Sequence, residues 1–260
     1  MRADNLRLPI AVAVVLIWVG ITVFWGVWIP HTGDVHHSIA VGVTNGISPN
    51  LLYASLFLAI CVIVFRWWDV AFKWPERPKE IRLLWFPLLY ILAFFSFTLI
   101  TGLPSPQVIG YLAINTILVG FSEEMAFRGV LFRGLLSRIP IWPAIIITTV
   151  LFGSVHSLNA LTTGDLPGAI AQSITAAMSG LLFIAIVVRT GSILPAMFIH
   201  ALWDFSNLLS IVNIVPAGEP TAIDPKLLIV PIAVQIPTFI YALFLLRKVG
   251  RPSADPAVAG

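Results

Sequence analysis

Long apolar runs recur along the whole chain and restrict its fold more than any other feature of the sequence. The hydrocarbon core of a bilayer is about 30 Å thick, and a helix needs about 17 to 25 apolar residues to cross it. Runs of that kind occupy residues 9–29, 50–66, 83–101, 107–138, 141–157, 169–189, 192–212 and 227–247. They are continuous rather than alternating, which favours helices over a lipid-facing β-barrel. We therefore predict an all-α polytopic membrane protein with about eight transmembrane helices.

Charged side chains are too scarce to cover a water-facing surface. They make up 10% of the 260 residues, whereas soluble domains carry about 25%. The apolar runs are spread evenly, so no segment could form a separate soluble core. We expect a single membrane domain over residues 1–260, in which 247–260 form a short cytoplasmic tail. The predicted localisation is integral to the membrane, and to the plasma membrane if the source is prokaryotic.

Lysine and arginine residues lie almost entirely in alternate loops, and such residues accumulate on the cytoplasmic side of membrane proteins. One side holds Arg2, Arg7, Arg66, Lys73, Arg77, Lys79, Arg82, Arg133, Arg138, Arg189, Arg247, Lys248 and Arg251, and the opposite loops contain only Lys226. This asymmetry predicts that both termini are cytoplasmic. The basic residues form no patch or stripe, so the formal charge of +3 does not indicate a nucleic-acid partner. Membrane lipid is the expected partner.

The cysteine and the loop histidines give little indication of a metal or redox site. Cys61 is the only cysteine, which excludes an internal disulfide and a CxxC pair. His31, His36 and His37 fall in the first predicted outer loop. They could bind a metal ion, but a solvated loop is the expected interpretation.

Apart from the arginines already assigned to the cytoplasmic side, the apolar runs contain six charged or histidine residues, each of which costs roughly 2.5 to 3.5 kcal/mol near the bilayer centre on insertion scales. They are Glu123, Glu124, Arg128, His156, His200 and Asp204. Glu124 and Arg128 are four residues apart on one helical face and can neutralise each other. Glu123 then points toward a neighbouring helix and remains the unpaired acid.

Helix geometry predicts that these residues come together. The fourth and fifth runs form a hairpin around residues 138–141, and Glu123 and His156 are nearly equidistant from that turn. His200 lies about 12 Å along the seventh helix from its inner end, and Asp204 follows on the same face. We therefore predict a buried polar cluster built from three helices. The alternative is a set of packing pairs and interhelical hydrogen bonds without a chemical role.

Three short motifs on these helices resemble those of a known family. Residues 123–128 fit EExxxR, residues 152–156 fit FxxxH, and residues 200–204 fit HxxxN/D. In this order, the motifs resemble the CPBP family of intramembrane proteases, which includes the CAAX prenyl endopeptidases. The motif-bearing core spans about residues 107–210.

The resemblance implies hydrolysis of a peptide bond inside the membrane, near its cytoplasmic face. Glu123 would act with His156 to activate water, and His200 with Asp204 would stabilise the oxyanion. Glu124 and Arg128 would hold their helix in place. The substrate would be a membrane peptide or protein, because relatives cut prenylated CAAX termini or process bacteriocins and peptide pheromones. Whether the substrate is lipidated is left open.

The cofactor requirement also stays open. Zinc could be bound by Glu123, His156 and His200, and the family was long called metalloproteases, but no HExxH motif is present. We favour a glutamate mechanism that needs no cofactor.

Asp204 departs from the asparagine that many family members place at this position. An ionised carboxylate cannot donate a hydrogen bond to an oxyanion. The side chain could donate when protonated, orient His200, or ligate a metal. Asn207 lies three residues further on and could supply the missing amide.

Two functions of other classes compete with proteolysis. The first is a non-catalytic membrane scaffold with the same fold. The second is a proton-coupled transporter, because intramembrane glutamate and histidine also mark proton relays. A transporter of that kind should contain inverted repeats with broken helices, and the sequence shows none.

Overall fold

The computed structural model describes residues 6–24, 43–213 and 228–250, and in these segments the chain is helical without strands. The helices are α1 (Arg7–Val19), α2 (Pro49–Val64), α3 (Trp85–Thr101), α4 (Pro106–Glu124), α5 (Phe132–Leu136), α6 (Ile141–His156), α7 (Ala160–Thr163), α8 (Leu166–Thr190), α9 (Leu194–Ile211) and α10 (Ile229–Leu246). Each predicted apolar run therefore contains a helix. His31, His36, His37 and Lys226 lie outside the described residues.

Within the described residues, five helical segments are long and apolar enough to span a membrane. They are Pro78–Thr101, Pro106–Leu136, Ile141–Thr163, Leu166–Thr190 and Ile229–Leu246, while Arg7–Val23 and Pro49–Val64 are apolar but shorter. Helix α9 carries His200, Asp204 and Asn207, whose polarity lowers its hydropathy. The protein is thus an integral membrane protein. Its count of eight spans and the sides of its termini stay predictions.

Loops that carry basic residues meet at one end of the bundle, which we call the basic end. Arg7 pairs with Asp69 at 2.9 Å, and Arg189 pairs with Glu80. The guanidinium of Arg77 donates to the carbonyl oxygen of Val188. These contacts place the basic residues Arg7, Arg77 and Arg189 at the same end of the bundle.

A π-helical segment, Met125–Leu131, continues α4 and leads into α5. Every residue in it is buried, including Arg128. A π-turn widens the helix by one residue, and such turns occur often at functional sites. The segment places Arg128 inside the bundle, beneath Glu124.

Small residues let α9 approach α4 closely. A Cβ atom at Gly120 would lie 2.9 Å from the backbone nitrogen of Ala201 and from the carbonyl oxygen of Met197. No real Cβ atom tolerates backbone contacts that short, so the crossing requires glycine. This crossing brings the acids that follow Gly120 against His200.

Candidate active site

Side chains from three helices meet in one cluster. Glu123 of α4 has its Oε2 atom 3.9 Å from Nε2 of His156 and 3.7 Å from Nε2 of His200. On α9, Oδ2 of Asp204 lies 3.4 Å from the same His200 nitrogen. The structure thus brings together the four residues that the sequence nominated as catalytic. Their chemical roles stay predictions.

The Oε2 atom of Glu123 makes no direct hydrogen bond. That atom is buried and has no hydrogen-bond partner, and its separations from both histidines exceed hydrogen-bond length. Buried polar atoms are normally satisfied, so an unpaired carboxylate oxygen calls for an explanation. One water molecule can bridge groups at such separations.

His156 is oriented by its own helix. Its Nδ1 atom lies 2.8 Å from the carbonyl oxygen of Phe152, one turn earlier in α6. A carbonyl oxygen only accepts hydrogen bonds, so Nδ1 carries the proton. A neutral His156 therefore presents the lone pair of Nε2 toward Glu123.

His200 is held by a carboxylate that the sequence had assigned elsewhere. Its Nδ1 atom donates to Oε1 of Glu124 at 2.8 Å, and its ring stacks on Phe183 of α8 with centroids 4.5 Å apart. The sequence predicted the pair of Glu124 with Arg128 but not this second contact. Glu124 also fixes the orientation of His200, which fills one of the roles considered for Asp204.

The predicted pair between Glu124 and Arg128 is confirmed, at 2.9 Å with both side chains fully buried. The second Nη atom of Arg128 donates to the carbonyl oxygen of Gly180 at 2.9 Å. Its guanidinium also lies 4.1 Å above the ring of Phe152, where cation and π-face attract. These contacts compensate the buried charge and join α4 to α6 and α8.

Asp204 is the most accessible member of the cluster, with 31% of its side chain exposed, compared with 16% for Glu123 and 5% for His200. It therefore lies where the cluster opens. Asn207, which could supply an amide, follows almost one turn later on α9 and is also partly exposed.

Sequence reasoning missed the contribution of α8. Phe183 stacks on His200, and a Cβ atom at Gly180 would lie 2.7 Å from the Phe152 ring and 3.1 Å from Arg128. No ionisable residue marks residues 176–183, so no sequence signal indicated that this part of α8 contacts the site.

The residues considered for zinc do not form a metal site as placed. Among the described residues, no three His, Cys, Asp or Glu side chains are arranged to hold a metal ion. The zinc set of Glu123, His156 and His200 is thus unsupported by this geometry.

Comparison with known proteins gives one match. The family model described as Type II CAAX prenyl endopeptidase Rce1-like matches residues 105–206, a segment that contains Glu123, His156, His200 and Asp204. No curated protein and no solved structure matches the chain. The resemblance inferred from the three motifs is therefore confirmed over this segment.

Proposed function

We propose that this protein is an intramembrane endopeptidase that hydrolyses a peptide bond near the cytoplasmic face of the membrane. The observation that carries the proposal is the unpaired Oε2 atom of Glu123, held between the Nε2 atoms of two histidines. The match of residues 105–206 to a protease family supports the same reaction class.

In the proposed mechanism, Glu123 is the general base. A water molecule donates one hydrogen bond to Glu123 and another to Nε2 of His156, which is an acceptor because Nδ1 is committed to Phe152. Glu123 takes a proton as the water oxygen attacks the scissile carbonyl carbon. The same proton then passes to the leaving amine.

His200 and Asp204 stabilise the oxyanion that forms. Three carboxylates surround His200, because Glu124 contacts Nδ1 while Asp204 and Glu123 face Nε2. With Nδ1 donating to Glu124, a doubly protonated His200 donates a hydrogen bond to the oxyanion through Nε2. Asp204 donates a second one when it is protonated.

The depth of the site supports cleavage in the cytoplasmic half of the bilayer. His200 is six residues from the start of α9 at the basic end, a rise of about 9 Å. We propose eight spans with both termini in the cytoplasm, and residence in the plasma membrane if the source is prokaryotic. The proposed substrates are membrane peptides or proteins, lipidated or not, and no cofactor is required.

A cleavage assay distinguishes the protease from the scaffold and transporter hypotheses. Purified protein in liposomes is assayed against farnesylated and unmodified membrane peptides. Glu123→Gln should lower cleavage by about 10²- to 10⁴-fold, the usual contribution of a general base, without changing the unfolding midpoint. Glu76→Gln, which alters an exposed acid at the basic end, is the matched control and should cleave normally.

Full cleavage by Glu123→Gln would refute the assignment of the base. A wild-type protein that cleaves no peptide would favour the scaffold, and proton uptake coupled to a solute would favour the transporter. Chelator should leave cleavage unchanged, and zinc-restorable inhibition would instead support the metal set.

A further inference from the structure

The side chains between helices α8 and α9 are buried at the level of Phe183 and His200 and partly exposed further from the basic end. The two helices are antiparallel, because the short turn at Gly191 joins them at the basic end. Phe183 and His200 stack on each other and are buried. One turn further from the basic end, Ser179 on α8 and Asp204 on α9 are both partly exposed. Side-chain exposure on both helices therefore increases below the Phe183 and His200 contact.

The partly exposed residues lie on the facing sides of these helices. At about 100° per residue, Gln172 and Ser179 fall within about 40° of Phe183 around α8. Asp204 and Asn207 fall within about 40° of His200 around α9. The partial exposure of these four polar side chains indicates a cleft between the helices, on whose α8 side Ala176 stays buried. We call it the polar groove, defined by Gln172, Ser179, Asp204 and Asn207.

We propose that the polar groove binds the unwound main chain of the substrate beside the scissile bond, and that it is entered from the end of the bundle opposite the basic end. This inference rests on the proposed function. A peptide bond becomes accessible to water only when its helix unwinds, which frees main-chain N–H and C=O groups that the hydrocarbon core cannot satisfy.

The side chains of the groove supply the partners that such a segment needs. Amides at Gln172 and Asn207 can both donate and accept hydrogen bonds. The hydroxyl of Ser179 donates to the carbonyl oxygen of Ala176, which leaves its lone pairs to accept from an N–H group. Asn159 donates to Gln172 at 2.8 Å and extends the polar lining to the residues after His156. A lipid chain would require an apolar lining instead.

Accessibility of the polar groove is tested by thiol labelling in a Cys61→Ser background. Ser179→Cys and Asn207→Cys are compared with Ile174→Cys and Phe198→Cys, which lie on the outer faces of the same helices and are 43% and 58% exposed. A charged, membrane-impermeant thiol reagent is added to either side of sealed vesicles. The groove positions should react at least about tenfold faster, and only from the end opposite the basic loops.

Equal rates at groove and outer-face positions, or labelling only from the basic end, would overturn the proposal. This readout needs no enzymatic activity, so its failure is distinct from a failure of the proposed function. Binding is tested by Gln172→Leu and Asn207→Leu, which should raise KM about 3- to 10-fold per lost hydrogen bond with little change in kcat. Ile174→Leu is the control, and an unchanged KM in both groove variants would refute main-chain binding.

Discussion

Glu124 gives the sharpest test of the site because one oxygen atom serves two partners. Its Oε1 atom lies 2.9 Å from Nη1 of Arg128 and 2.8 Å from Nδ1 of His200. The first contact compensates a buried charge, and the second orients a proposed catalytic side chain. A pair of variants can separate these two effects.

Glu124→Leu leaves Arg128 buried without its counter-charge. Breaking a buried ion pair from one side costs about 3 to 5 kcal/mol. Arg128 keeps its bond to Gly180 and its position over Phe152, so we expect the lower end, about 3 kcal/mol. This is a large share of a total stability of about 5 to 15 kcal/mol. Denaturant unfolding in detergent micelles, followed by tryptophan fluorescence, measures the loss.

Combining Glu124→Leu with Arg128→Met removes both charges. Replacing a buried ion pair by apolar residues is often neutral or stabilising, so unfolding should return to within about 1 kcal/mol of wild type. Cleavage should stay low by about 10²- to 10³-fold, because His200 still lacks the carboxylate that holds it. Recovery of both stability and cleavage in the double variant would show that Glu124 does not orient His200.

Three further predictions test the surroundings of the site. Gly180→Ala places a methyl group against Arg128, and overpacking should lower stability by about 1 to 3 kcal/mol; an unchanged thermal midpoint would contradict this. In a cysteine-free background, a cysteine at Lys79 should be labelled only from the cytoplasm, whereas one at Thr163 should be labelled only from outside. Asp204→Asn should keep cleavage at neutral pH if the aspartate acts as a protonated donor. If the variant is inactive and chelator abolishes cleavage by the wild-type enzyme, Asp204 is a metal ligand instead.

Much of the site could be predicted because helical geometry is regular. Equal distances from the hairpin turn placed Glu123 level with His156, and a spacing of four put Asp204 beneath His200. These arguments use only rise and rotation per residue. They succeeded because the runs fold as nearly uninterrupted helices, as hydrocarbon surroundings require.

Contacts that depend on rotamers and on interhelical register could not be predicted. Spacing allowed Glu124 to pair with Arg128, but it could not show that the same oxygen reaches His200 on another helix. The role of Phe183 was likewise invisible, since an apolar residue in an apolar run is usually core. The π-helical segment after Glu124 has no reliable sequence signal either.

The hydrogen-bond partner of Nδ1 determines what each histidine can do through Nε2. His156 donates from Nδ1 to a carbonyl oxygen, which leaves Nε2 of the neutral ring as an acceptor for water. His200 donates from Nδ1 to the Glu124 carboxylate and has Asp204 3.4 Å from Nε2, so Nε2 of the doubly protonated ring is a donor. Glu123 lies between one acceptor and one donor. A scaffold would gain stability by closing these gaps or by replacing Glu123 with an apolar residue, whereas hydrolysis needs both kinds of group within reach of a single base.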